Sequence, residues 1–89
     1  MEIHQLRYFC AVASAGNFTR AARQEHLAQP SLSQQVRKLE DELGTRLFDR
    51  LGKSVRLTSF GEAFLPRAQT ILRQISDAKQ EIEEMTGVE

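Results

Sequence analysis

The sequence is poor in most of the features that brace or specialise a small protein. It has 89 residues and one cysteine, Cys10, so no intramolecular disulfide can form. Its two histidines, His4 and His26, do not combine with Cys10 into a ligand cluster, and neither a metal nor another cofactor is expected. Neither histidine stands in a catalytic spacing with a serine, cysteine or carboxylate, and there is no Gly-rich phosphate loop, so no enzyme is expected. No apolar run approaches the ~20 residues of a membrane-spanning helix. The opening Met1-Glu2-Ile3-His4-Gln5 lacks the basic start and apolar stretch of a signal peptide. With its lone thiol, the chain is expected in the cytoplasm. A domain this short buries a modest core, and with disulfides and metals set aside, a partner is the remaining source of burial.

Net charge is also missing, with 12 basic and 12 acidic residues. The balance is uneven along the chain, however. Residues 1–58 hold nine Lys/Arg against six Asp/Glu, a net of +3, and residues 59–89 hold three against six, a net of −3. One half suits a phosphate surface and the other does not.

What is present is helical periodicity. Ile3, Leu6, Phe9, Cys10 and Ala13 share one face of a helix over residues 3–15, which Gly16 ends. Asn17 suits the cap of a short second helix over residues 18–25, with Phe18, Ala21 and Ala22 inward. Pro30 is read as the first residue of a third helix. Leu32, Val36, Leu39 and Leu43 form its buried stripe, and Gly44 stops it. The connection at residues 26–29 gives the outline of a helix-turn-helix. Residues 46–58 shift to strand periodicity around the turn Leu51-Gly52-Lys53-Ser54, which makes a hairpin, or wing. A last helix is expected over residues 59–85, capped by Thr58 or by Ser59 with Glu62 in a capping box. Pro66 predicts a bend in it. Phe64, Ala68, Ile71, Ile75, Ala78, Ile82 and Met85 follow a heptad seam along it, widened by Leu65 and Leu72. The fold class is therefore mainly α: three helices and a two-stranded wing in residues 1–58, then a long helix. At ~1.5 Å per residue that helix must overhang so small a domain, leaving apolar surface for a second copy of the chain.

The polar face of the third helix carries Pro30, Ser33, Gln34, Arg37, Lys38 and Asp41. Its early turns are small, amide-bearing or basic, and the acids Glu40, Asp41 and Glu42 come late. A helix entering the major groove offers its first turns to the bases, so this order suits DNA. Gln29 and Gln34 have the paired donor and acceptor that match adenine, Ser33 can donate or accept, and Pro30 can touch a thymine methyl. Arg37 and Lys38 reach phosphates. The wing carries Arg46, Arg50, Lys53 and Arg56 against Asp49. Lys53 at its tip suits the minor groove, or blocks edge pairing, and Arg46 suits a neighbouring acid. Asn17, Thr19 and Arg20 stand where a second helix meets the DNA backbone, although a plain cap explains Asn17 equally well. Cys10 is read as a packing residue, because a reactive thiol needs exposure and nearby positive charge.

These residues resemble a known family. Leu6-Arg7-Tyr8-Phe9 with Ala11-Val12-Ala13, Gly16-Asn17-Phe18-Thr19, Ala21-Ala22, and the run Ala28-Gln29-Pro30-Ser31-Leu32-Ser33-Gln34-Gln35-Val36 are similar to the N-terminus of LysR-type transcription regulators. So are Leu39-Glu40, Leu43-Gly44, Leu47-Phe48-Asp49-Arg50 and Leu57-Thr58 with Gly61, in order and without gaps over residues 1 to about 85. The resemblance implies a winged helix-turn-helix and a linker helix pairing antiparallel with its twin, on double-stranded operator DNA of imperfect palindromic form. It implies base contacts from Gln29, Pro30, Ser33, Gln34 and Lys53. Backbone contacts are expected from Asn17, Thr19, Arg20, Ser31, Arg37, Lys38, Arg50 and Arg56, and a dimer interface from Phe64, Ala68, Ile71, Leu72, Ile75, Ala78, Ile82 and Met85. Ser31 stands where the family often has proline or alanine, and Gln34 where it often has arginine. Whole family members are often tetramers and carry a C-terminal effector-binding domain for a small molecule. Residues 86–89 are accordingly expected to begin the hinge to such a domain, making the chain a fragment of a longer protein. A winged helix that docks a protein instead would show no salt-dependent affinity for DNA.

Overall fold

The computed structural model describes residues 1–87. Six elements follow in order: α1 (Ile3–Ala15), α2 (Phe18–Gln24), α3 (Gln29–Leu43), β1 (Phe48–Leu51), β2 (Ser54–Leu57) and α4 (Ser59–Thr86). The two strands pair antiparallel with Phe48 opposite Leu57 and Leu51 opposite Ser54. Gly52 takes the first position of the resulting two-residue loop at φ 65°, a left-handed conformation that primed hairpin turns require.

Each helix begins and ends for local reasons. Glu2 and Gln5 occupy the capping-box positions at the start of α1, where the Glu2 N–H donates to Gln5 Oε1 at 3.1 Å. Asn17 accepts from the Arg20 N–H at 2.6 Å and caps α2. α3 starts one residue earlier than expected, with Ala28 as N-cap and Pro30 in second place. Thr58, not Ser59, caps α4: its hydroxyl oxygen accepts from the Gly61 N–H at 3.0 Å and its O–H donates to the Arg46 carbonyl at 2.7 Å. α4 continues unbroken through Pro66, its eighth residue, where the missing N–H leaves the Glu62 carbonyl without its helical donor.

The core gathers Leu6, Phe9 and Val12 of α1, Phe18, Ala21 and Ala22 of α2, Leu32, Val36 and Leu39 of α3, Leu47 and Phe48, and Ala68 of α4. Phe9 sits at its centre, with its ring 5.3 Å from that of Phe48 and 5.4 Å from that of Phe64. Two residues assigned to buried stripes lie outside. Ile3 and Leu43 are exposed, because each sits in the terminal turn of its helix, beyond the neighbours that cover the middle.

The heptad seam of α4 divides. Ala68 is fully buried and Phe64 and Leu72 pack against the core of the same chain, whereas Ile71, Ile75, Ala78, Ile82 and Met85 are exposed. This corrects the expectation of one continuous partner surface: Ala68 has no surface to offer a second chain. The overhang itself is real, since the molecule measures 49 × 25 × 18 Å and α4 of 28 residues is about 42 Å long.

Candidate nucleic-acid interface

The turn between α2 and α3 is built by Leu27 N–H donating to the Ala22 carbonyl at 2.9 Å and His26 N–H to Arg23 at 3.3 Å. His26 adopts φ 58°, an uncommon conformation for a residue with a side chain. That reversal sets α3 across α2 with Pro30, Gln34, Arg37 and Lys38 exposed and Gln29 and Ser33 partly so. Gln29 Nε2 donates to Ser33 Oγ at 2.7 Å, one turn away, so the two side chains expected to read bases restrain each other. Pro30, Ser33, Gln34 and Arg37 together border a shallow surface depression.

The wing folds back toward the start of α2. Val55 N–H donates to the Gly16 carbonyl at 3.0 Å, tying β2 to the α1–α2 turn. The Arg50 guanidinium lies 4.0 Å from the centre of the Phe18 ring, a cation–π contact that fixes an otherwise mobile cation. Between these parts opens a cleft of about 510 Å³ lined by Asn17, Thr19, Gln29, Arg50, Gly52 and Lys53, with Phe18 and Val55 as its floor. Residues singled out from three separated stretches of sequence thus meet in one concavity, and none of its lining side chains is acidic. Arg20 and Arg56 do not line it but are exposed on neighbouring parts of α2 and β2. Ser31 lies instead on the opposite flank of α3.

Glu40 departs from the sequence reading. By sequence it is one of three acids at the late end of α3, yet it is buried at 8% exposure. Its Oε2 accepts from the Leu47 N–H at 2.7 Å and the Phe48 N–H at 3.3 Å, and Arg46 Nε approaches Oε1 at 3.7 Å. The carboxylate therefore anchors the wing to the end of α3 and leaves Asp41 and Glu42 as the exposed acids there. Arg46 finds the neighbouring acid expected of it. No local pattern marks a glutamate whose partners lie seven and eight residues ahead. Cys10 is half-buried, and burial pushes its thiol above the usual cysteine range, which keeps it protonated and suits packing. Among the described residues no group of three or more His, Cys, Asp or Glu is placed to hold a metal, and no helix is long and apolar enough to cross a membrane.

Residues 3–62 match the model of the bacterial regulatory helix-turn-helix proteins of the lysR family. The chain belongs to the LysR family. Its relatives include the HTH-type transcriptional regulator BudR of Klebsiella aerogenes, 53% identical over 81 residues that are 91% of this chain and 56% of BudR. The Hca operon transcriptional activator HcaR of Escherichia coli is 53% identical over 79 residues, 89% of this chain and 27% of HcaR. The chain spans between 26% and 60% of the length of eight curated relatives it matches. Among solved structures, the DNA-binding domain of BenM in complex with catB site 1 DNA superimposes with a TM-score of 0.94 at 35% identity, covering all of both chains. The DNA-binding domain of CbnR in complex with DNA gives 0.91 at 38% identity, over 97% of this chain and 99% of that one. The LysR-type fold of a winged helix-turn-helix followed by a long helix is thus established for this chain.

Proposed function

We propose that this LysR-type domain binds double-stranded DNA sequence-specifically as a dimer on an imperfect palindrome, and so regulates transcription. The observation that carries this reading is the acid-free cleft in which Gln29 of α3, Asn17 and Thr19 of α2, and Arg50 and Lys53 of the wing converge. α3 would lie in the major groove with Gln29, Pro30, Ser33 and Gln34 at base edges. Lys53 would enter the adjacent minor groove. Asn17, Thr19, Arg20, Ser31, Arg37, Lys38, Arg50 and Arg56 would hold phosphates. Ile71, Ile75, Ala78, Ile82 and Met85 would face the same residues of a second copy, and the distance between the two α3 helices would set half-site spacing. Residues 1–58 would serve as the reading head, 59–85 as the linker helix and 86–89 as the start of a hinge, although Thr86 still belongs to α4 and Val88 and Glu89 lie outside the described residues. In a full-length protein the hinge leads to an effector-binding domain, through which a small molecule acts on a tetramer in the cytoplasm, at the nucleoid.

Selection from random duplex DNA followed by a salt titration tests this. An enriched palindrome whose affinity falls steeply with salt is expected, with a log–log slope of about −0.9 per phosphate neutralised. A folded dimer that binds no duplex at low salt would refute the reading.

A further inference from the structure

A second groove, of about 460 Å³, runs along the other flank of α3 and is lined by His4 and Tyr8 of α1, Leu27, and Ser31, Gln34 and Gln35. Its hydrogen-bond directions are fixed by a backbone donor. The Glu2 N–H donates to Gln5 at 3.1 Å, so the atom of Gln5 that receives it is its carbonyl Oε1. The other end of the buried Gln5 amide, Nε2, must then donate, and it does so to Gln35 Oε1 at 3.2 Å. His4 Nε2 reaches that same oxygen at 3.1 Å and therefore carries its ring hydrogen there. With both partners on its oxygen, Gln35 presents its Nε2 hydrogens away from them, and among the described residues no acceptor takes these. The groove has no acidic lining side chain. Farther along this flank Glu42 is paired with the Met1 ammonium at 2.8 Å.

We infer that Gln35 is a phosphate-binding residue, its side-chain amide oriented by Gln5 and His4 to grip the DNA strand across the major groove from the wing. The inference rests on the DNA-binding reading. At 3.6 residues per turn, Gln29 and Ser33 border one side of the exposed Pro30–Gln34 strip, and Ser31 and Gln35 border the other. The major groove is ~12 Å wide and a helix with its side chains is 10–12 Å across, so both flanks of an inserted helix meet a phosphate ridge. The wing cleft would face one ridge, and the α1–α3 groove, which Ser31 and Tyr8 line together with Gln35, would face the other. Three side chains thus convert the α1 N-terminus into a support for an uncharged donor.

The test uses Gln35→Glu, which keeps an oxygen for Gln5 and His4 but turns the groove-facing end from donor to anion. Its melting temperature should match the parent. Binding to a duplex selected by the parent protein should weaken by about tenfold or more, the scale of a lost hydrogen bond to a charged group. A scan of duplexes carrying one neutral methylphosphonate each then locates the contact. For the parent, neutralising one phosphate on the strand across from the wing should weaken binding. For Gln35→Glu, that same substitution should restore it, while others should not. Parent-like binding by the variant, or a loss that no single methylphosphonate relieves, would overturn the assignment of Gln35 and leave DNA binding standing. Failure of the parent itself to bind any duplex would overturn the DNA reading and this inference with it.

Discussion

The two halves of α4 carry the same heptad pattern to different ends. In the first half, Gly61 and Ala68 are buried and Phe64 stacks near Phe9, so the seam closes the core of its own chain. In the second half, Ile75 and Ala78 are exposed, Ile82 is 58% and Met85 76% exposed, and Asp77, Glu81, Glu83 and Glu84 are interspersed among them. Apolar periodicity states that a face is to be covered, not by what. The division falls past Leu72, the last residue of α4 that packs against the core, and it is a matter of length: α4 is about 42 Å long in a molecule whose longest dimension is 49 Å.

The root of α4 is the most sharply constrained part of the comparison. A Cβ at Gly61 would sit 2.2 Å from the Leu47 carbonyl oxygen and 2.8 Å from Leu57 Cδ2. The first obstacle is backbone, and that backbone is itself held, since the Leu47 carbonyl accepts from the Thr58 N–H at 3.0 Å. Gly61→Ala should therefore destabilise the head by about 3 kcal/mol, despite raising helix propensity, as overpacking against an unyielding neighbour does. Chemical denaturation reads this directly. A neutral outcome would mean that α4 slides on the head, and the division between its halves would lose its sharpness.

Glu40 supports the same root from beneath, because its carboxylate holds the N–H groups of Leu47 and Phe48. Glu40→Ala leaves both donors without that partner and should cost about 2 kcal/mol, while loosening the wing against α3. Gln in its place retains one acceptor oxygen and should cost less than Ala. If both variants unfold like the parent, water serves these amides as well as the carboxylate does, and the root does not depend on Glu40.

Much of this architecture was legible in the residues. Capping by Asn17, the stops at Gly16 and Gly44, the wing turn at Gly52 and the run of α4 are local chemistry, which sequence states directly. The DNA-facing candidates were legible as a polar face behind a short capped helix, and the cleft brings Gln29, Asn17, Thr19, Arg50 and Lys53 together. What failed to read was whatever depends on non-local neighbours. Ile3 and Leu43 obey helical spacing but lie past the ends of the faces that would cover them. Glu40 looks like one of three solvent acids until β1 is folded over it. The bridge from Gln5 through Gln35 to His4 joins residues thirty and more positions apart, and three amide or imidazole side chains carry no pattern that would pair them in advance.

The smallest expected effect on the head is also the one that separates the halves of α4. Replacing Ile75 and Ile82 together by serine removes apolar surface that the single chain does not bury, so unfolding of the head at high dilution should move by no more than about 0.5 kcal/mol, as for other exposed positions. At higher concentration the parent should gain stability from self-association and the variant should not, because a partner that binds only the folded state stabilises it by mass action. Sedimentation of both proteins across a concentration series measures the same difference as a change in mass. On a palindromic duplex the variant should keep the contacts of one half-site and lose the joint binding of two, with affinity falling toward that for a single half-site. If the variant unfolds at high dilution well below the parent, the distal isoleucines are covered within one chain, and the overhang is not where a second copy docks. If instead it stays dimeric, the second copy is held elsewhere, and the seam of α4 past Leu72 needs another occupant.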